Sequence, residues 1–246
     1  MSGHSKWATI RRKKEKIDAA RGKIFTKLGR EIMVAVREGG GPNPDANMRL
    51  KECINKAKAA NMPNDNIKRL IEKAAGAADG AGFEEISYEG YGPGGIAVIV
   101  QVMTDNRNRT APEIRHMFDR SGGSLGATGC VGWMFDRKGV IVVEELGKLS
   151  EDDLMMTALE AGAEDIAGEE GVYEITTAPS DITVVQDALE KAGIVISSSE
   201  VMMVPQNTTE VEGDTAQKLV KLIDNLEDND DVQNVYHNAD IPDDVL

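Results

Sequence analysis

The run Gly76-Ala-Ala-Asp-Gly-Ala-Gly82 separates two kinds of hydrophobic spacing that one layer of structure cannot share. Before it, apolar residues recur at three, four and seven positions, the spacing of helices that bury one stripe. Ile10, Ile17, Ile24 and Leu28 make a narrow stripe with Trp7 nearby, and Gly22 loosens the run. From Lys23 the stripe widens through Phe25, Leu28, Ile32, Met33 and Val36. Gly39-Gly-Gly41 then ends the helix with a left-handed cap, and Pro42 prevents resumption. A second helix fits Asp45 to Ala60. A third follows the break Asn61-Met-Pro-Asn64, with Pro63 suited to a first turn and Ile67, Leu70, Ile71 and Ala74 at helical spacing. Three or four helices within 75 residues read as a small bundle.

Beyond Gly82 the periods alternate. Ile86 begins a short strand, Tyr91-Gly-Pro-Gly-Gly95 a turn, and Ile96 to Met103 a β-rich run, which together predict a hairpin. Thr110-Ala-Pro-Glu113 reads as a capping box opening a helix that bears Ile114, Met117 and Phe118 and stops at Gly122-Gly123, and a strand fits Val131 to Phe135. Residues 139–204 read strand, helix, strand, strand, helix, strand. Ala158-Leu-Glu-Ala-Gly162 and Ala188-Leu-Glu-Lys-Ala-Gly193 echo one another, each ending a helix ahead of a strand. That order is a split βαβ, or ferredoxin-like, unit. The elements of 83–135 are too few for a two-layer core, and the helix from Asp214 to Leu226 with the strand Val232–Tyr236 can complete it. The expected fold class is therefore α+β and multidomain: a basic helical bundle over 1–80, a discontinuous α+β domain over 81–136 plus 205–246, and an inserted ferredoxin-like domain over 137–204.

Charge divides along the same line. Residues 1–75 hold 18 Lys and Arg against 8 Asp and Glu, a balance of +10, and residues 76–246 hold 10 against 34, a balance of −24. A basic segment on an acidic protein is the charge pattern of a nucleic-acid-binding module. The bland alternative is a basic unit that docks on its acidic neighbours. With 41% hydrophobic residues there is enough material for packed cores. No run approaches eighteen apolar residues and no secretory core follows the basic start, so no membrane partner and a cytoplasmic location are expected.

Catalytic constellations do not stand out. His4, His116 and His237 fall in no nucleophile or metal pattern, and Cys53 and Cys130 are too few for a disulfide framework or a zinc site. The carboxylates between Glu227 and Asp244 read as a solvated face, and the loop at Tyr91 lacks the Lys-Ser/Thr ending of a phosphate cradle. No residue nominates itself for catalysis, so an enzyme, a hydrolase included, is the weakest of the readings left open. The strongest chemical signal is the start: Lys6, Arg11, Arg12, Lys13, Lys14 and Lys16, with Arg21, Lys23 and Lys27 following, can neutralise phosphates. Trp7 offers a stacking face or a core anchor. Arg107 and Arg109, before the helix expected at Thr110, are candidates to hold an anion with the helix N-terminus, or parts of a structural loop.

Gly3-His-Ser-Lys-Trp-Ala8, Arg21-Gly-Lys-Ile-Phe-Thr-Lys-Leu28, Gly39-Gly-Gly-Pro42, Tyr88-Glu-Gly-Tyr-Gly-Pro-Gly-Gly95 and Thr104-Asp-Asn-Arg-Asn-Arg-Thr110 together resemble the YebC family over essentially the whole chain. The resemblance implies an N-terminal helical domain and two α/β domains, the third inserted into the second. It further implies a cytoplasmic, DNA-binding transcriptional regulator without enzyme activity or cofactor. The same family includes the mitochondrial translational activator of cytochrome oxidase, and bacterial relatives are linked to ribosomes stalled on proline-rich sequences. The alternative expectation is accordingly a ribosome-associated translation factor whose partner is ribosomal RNA.

Overall fold

A computed structural model describes residues 21–76, 82–147, 149–169, 171–242 and 245. Its architecture is mixed α/β. Helices α1 (Arg21–Glu38), α2 (Met48–Ala59) and α3 (Asn64–Gly76) come first and close on one core of Ile32, Ala35, Val36, Leu50, Cys53, Ala57, Met62 and Ile67. α1 and α3 approach closely at Gly29, where an added Cβ would lie 3.3 Å from Leu70 Cδ1. Burial lifts the Cys53 thiol pKa to about 11, so this cysteine behaves as an apolar filler.

Asn47 settles where α1 stops and α2 starts. Its amide nitrogen donates to Ala35 O at 2.7 Å and Gly41 O at 2.8 Å, and its oxygen accepts from Leu50 N at 3.0 Å. One side chain therefore satisfies carbonyls at one helix end and an amide at the next. The sequence reading started α2 at Asp45; the cap delays it to Met48.

The first sheet holds β1 (Glu84–Tyr91), β2 (Ala97–Thr104), β3 (Ser124–Leu125) and β9 (Val232–His237) in the antiparallel order β3-β1-β2-β9. β1 and β2 form the expected hairpin around Pro93–Gly95, with Gly94 at φ 75°. α4 (Arg107–Arg120) and α7 (Gly213–Asp228) cover one face. Alternation along β2 sends Val98, Val100 and Val102 to that face against Ile114, Phe118, Leu219 and Leu222. Ala97 and Ile99 go to the other face, with Val131, Phe135 and Tyr236.

Between β3 and α7 the chain builds a second antiparallel sheet from β4 (Phe135–Val143), β5 (Ala163–Glu169), β6 (Val172–Thr177) and β7 (Ser198–Pro205), in the order β5-β6-β4-β7. One strand separates the parallel members of each βαβ unit, which is the split βαβ arrangement. α5 (Glu151–Glu160) and α6 (Ile182–Lys191) close one face through Leu154, Ala158, Val185 and Leu189 onto Ile141, Val143 and Ile175. A short parallel pair, β8 (Thr209–Glu210) with β10 (Ala239–Asp240), follows.

Two further element boundaries differ from the sequence reading. Residues 131–135 are not a strand; Gly132–Met134 make a 3₁₀ turn and β4 begins at Phe135. α4 starts at Arg107, capped by the Asn106 side chain, which accepts from Arg109 N at 3.1 Å. Thr110 lies inside the first turns because its hydroxyl has another partner. Among the described residues no helix is long and apolar enough to cross a membrane.

Candidate nucleic-acid interface

The described part of the basic segment is α1–α3, and the structure sorts most of its cations into two sets. Lys6, Trp7, Arg11, Arg12, Lys13, Lys14 and Lys16 lie outside the described residues. Arg21 opens α1. Lys23 and Lys27, one turn apart on α1, face the end of α7. Lys23 Nζ is 3.0 Å from Asp228 Oδ1, and Lys27 Nζ donates to Glu227 O at 2.8 Å. α7 has no basic residue in its last turn, and Asp224, Glu227 and Asp228 add negative charge where the helix dipole is already negative. α1 supplies the missing cations from another part of the chain.

One turn further along α1, Arg30 reaches the loop between α7 and β9. Its guanidinium is 2.9 Å from Asp231 Oδ1, donates to Asp230 O, and stacks over the Phe83 ring at 5.3 Å. Asp231, only 3% exposed, collects three further donors through Oδ2: Arg109 Nη2 and Thr110 Oγ1, each at 2.6 Å, and Thr104 Oγ1 at 3.0 Å. Burial alone would raise its pKa. The bonds from Thr110, Arg109 and Thr104 and the charge of Arg30 outweigh that and hold the carboxyl below its ordinary value. The Asp231 bond in turn raises the pKa of Arg109.

This junction revises two sequence readings. Asp231 belongs to no solvated face; it is the polar centre of the joint between the helical unit and the first sheet. Arg109 does meet an anion at a helix N-terminus, and that anion is the chain's own carboxylate, with Asp105 Oδ1 also 3.3 Å away. Arg107, at the first position of α4, is exposed. Its charge works against the burial that raises the pKa of Tyr88. Sequence reasoning misses Arg30 and Asp231 because an arginine in a basic helix and an aspartate in an acidic run carry no local mark. Arg49 makes a further link, bonding Glu85 on β1 and sitting 3.2 Å from Glu38.

The second set is exposed to solvent. Lys51 and Lys58 on α2, and Lys68, Arg69 and Lys73 on α3, are exposed, and no acidic partner meets them among the described residues. Helical spacing places Lys51, Lys58, Lys68 and Lys73 on the flanks of the buried stripe of Leu50, Cys53, Ala57, Ile67 and Ala74, and Arg69 nearly opposite it.

Known proteins align with the whole chain. The family model described as the TACO1/YebC protein N-terminal domain matches residues 5–77, and that described as the TACO1/YebC second and third domain matches residues 83–239. A protein of Pelotomaculum thermopropionicum named "Probable transcriptional regulatory protein" is 62% identical over 244 residues, covering 99% of this chain and 100% of its own. One of the same name from Acetivibrio thermocellus is 59% identical over 239 residues, with 97% and 98% covered. The crystal structure of a conserved hypothetical protein from Aquifex aeolicus is similar with a TM-score of 0.82 at 49% identity, covering 94% of each chain.

Proposed function

This chain belongs to the TACO1/YebC family, and from that premise we propose that it is a DNA-binding regulator of transcription acting through its basic helical unit. The observation that carries this reading is the division of the cations. Docking on the acidic body engages Lys23, Lys27, Arg30 and Arg49, and it leaves Lys51, Lys58, Lys68, Arg69 and Lys73 exposed and without an acidic partner among the described residues. A basic unit that existed only to dock would have no use for the second set. A duplex with one charge per about 1.7 Å is a partner that such a set, with the basic start, would attract. The relatives' names favour the same class of function. In this reading the protein works in the cytoplasm, binds rather than catalyses, and uses no cofactor. Asp231 and Glu89, whose pKa values are shifted, are both consumed in structural bonds.

Replacing Arg11, Arg12, Lys13 and Lys14 with Ala tests the reading. Affinity for duplex DNA should fall, and the slope of log K against log salt should flatten by about 0.9 for each phosphate no longer neutralised. An unchanged affinity and slope would remove the basic start from the interface. Crosslinking in cells followed by sequencing of the bound nucleic acid separates promoter DNA from the ribosomal RNA that a translation factor would hold.

A further inference from the structure

The first sheet ends, away from the helical unit, in an exposed pair of aromatic rings. Trp133 is 69% exposed and Tyr91 37%. The residues around Trp133 go the other way: Val131 is 0% exposed and Phe135 5%. The indole therefore contributes little to the core that its neighbours build, yet it is held firmly. Its Nε1–H donates to Cys130 O at 3.1 Å, and the Tyr91 hydroxyl donates to that same oxygen at 3.3 Å. Rings from two elements thus converge on one carbonyl.

The loop beneath them is fixed by a buried carboxylate. Glu89, 7% exposed, accepts from Gly129 N and Val131 N at 2.9 Å each and from Gly132 N at 2.7 Å. Burial opposes its charge, and these three amides outweigh burial and hold its pKa below the ordinary value. Space is close as well. A Cβ on Gly126 would lie 2.5 Å from Cys130 Sγ, and one on Gly132 would lie 3.3 Å from both Glu89 oxygens. A ring presented by so constrained a loop loses little freedom when a ligand stacks on it.

Size and position select the ligand. Among the described residues the other large exposed apolar side chains are Met48 on α2, Met155, Met156 and Leu159 on α5, Val184 on α6, and Val195, all outside this end of the first sheet. Two exposed rings, with only the half-buried Cys130 and Met134 beside them, fall far short of the roughly 800 Å² per partner that a protein interface buries. They suit one or two planar groups. The helical unit meets the other end of β1, at Phe83 and Glu85, about 23 Å away at roughly 3.3 Å per residue. We propose that Trp133 and Tyr91 form a stacking platform for an unpaired nucleobase of a strand whose phosphates the basic unit attracts. This deepens the nucleic-acid reading and rests on it.

The chain has two tryptophans, so Trp7→Phe leaves Trp133 as the sole indole reporter. In that background, single-stranded homopolymeric DNA and RNA oligonucleotides and the matching duplexes are titrated. Binding is followed separately by anisotropy of a labelled strand. Single strands should quench the indole emission and duplexes at equal occupancy should not, and the DNA and RNA arms show which sugar the site prefers. Adding Trp133→Ala should weaken single-strand binding roughly tenfold to a hundredfold while leaving the salt slope unchanged, since every phosphate keeps its cation. The exposure of Trp133 keeps this variant foldable, which circular dichroism checks. Binding with unmoved emission and undiminished affinity of the Trp133→Ala protein overturns the platform and leaves the nucleic-acid reading standing. Failure of every oligonucleotide to bind overturns both.

Discussion

Asp231 gathers four donors from three parts of the chain, and each lies more than a hundred positions away in sequence. Replacing it with Asn leaves the half-buried Arg30 and the tip of Arg109 against a neutral amide whose NH₂ group meets donors. Removing one member of a buried ionic cluster costs about 3 kcal/mol, so Asp231→Asn should lower stability by roughly that much in urea unfolding. The pH dependence has a definite sign. Because the folded-state pKa lies below 3.8, the ionised form stabilises the fold above about pH 4, and that contribution is lost as pH falls through the lower folded value. The wild type should therefore lose more stability than Asp231→Asn between pH 6 and pH 3. Parallel curves would mean that the carboxylate is not the stabilising group. None of this is readable locally: the segment Asn229-Asp230-Asp231 has the composition of a surface turn, and only tertiary pairing buries one of its carboxylates. Trp133 is the opposite case, an aromatic that composition marks as core material and the loop turns outward.

α7 illustrates how one helix end is completed by another helix. Its amphipathic pattern, with Leu219, Leu222, Ile223 and Leu226 buried, is explicit in sequence, whereas its capping cations lie about two hundred residues upstream. Each such cation near a helix C-terminus contributes about 0.3–1 kcal/mol, and exposed pairs are screened by salt. Lys23→Ala with Lys27→Ala should then loosen α1 from the first sheet, seen as faster amide exchange at the last turn of α7, while global stability falls by only about 1 kcal/mol. In 0.5 M salt the wild type should move toward the variant at Lys23, which is exposed, and keep the Arg30–Asp231 pair, which is not. Equal protection at the α7 end in both proteins would rule out the trans cap. Helix and strand types are legible because 3.6 and 2.0 periods are local; the ends are less so. α4 begins three residues before Thr110 because Asn106 outcompetes it as a cap, with the threonine hydroxyl drawn to Asp231. The strand expected over 131–135 fails because the amides of Gly129, Val131 and Gly132 turn toward Glu89 instead of a neighbouring strand.

For the molecule as a whole, composition reveals that positive charge gathers in one part of the chain, but not which cations remain available. That depends on the docking of α1–α3, and it separates two kinds of charge-removing substitution. Replacing Lys51, Lys58, Lys68, Arg69 and Lys73 with Ala removes cations that meet no acidic partner among the described residues. Duplex affinity should fall and the salt slope flatten by about 0.9 for each phosphate left unneutralised, with each exposed site changing stability by no more than about 0.5 kcal/mol. Replacing Lys23, Lys27 and Arg30 removes cations that the acidic body already holds. Stability should fall, chiefly through the Asp231 cluster, and the salt slope should change less per charge removed. If the outward set left affinity unchanged and the docked set abolished it, the joint with the first sheet would have to open for nucleic acid to bind. The acidic segment of Glu227, Asp228, Asp230 and Asp231 would then be competing with phosphate for the same α1 side chains. Measured at two salt concentrations on two variants, slope and stability together decide between these arrangements.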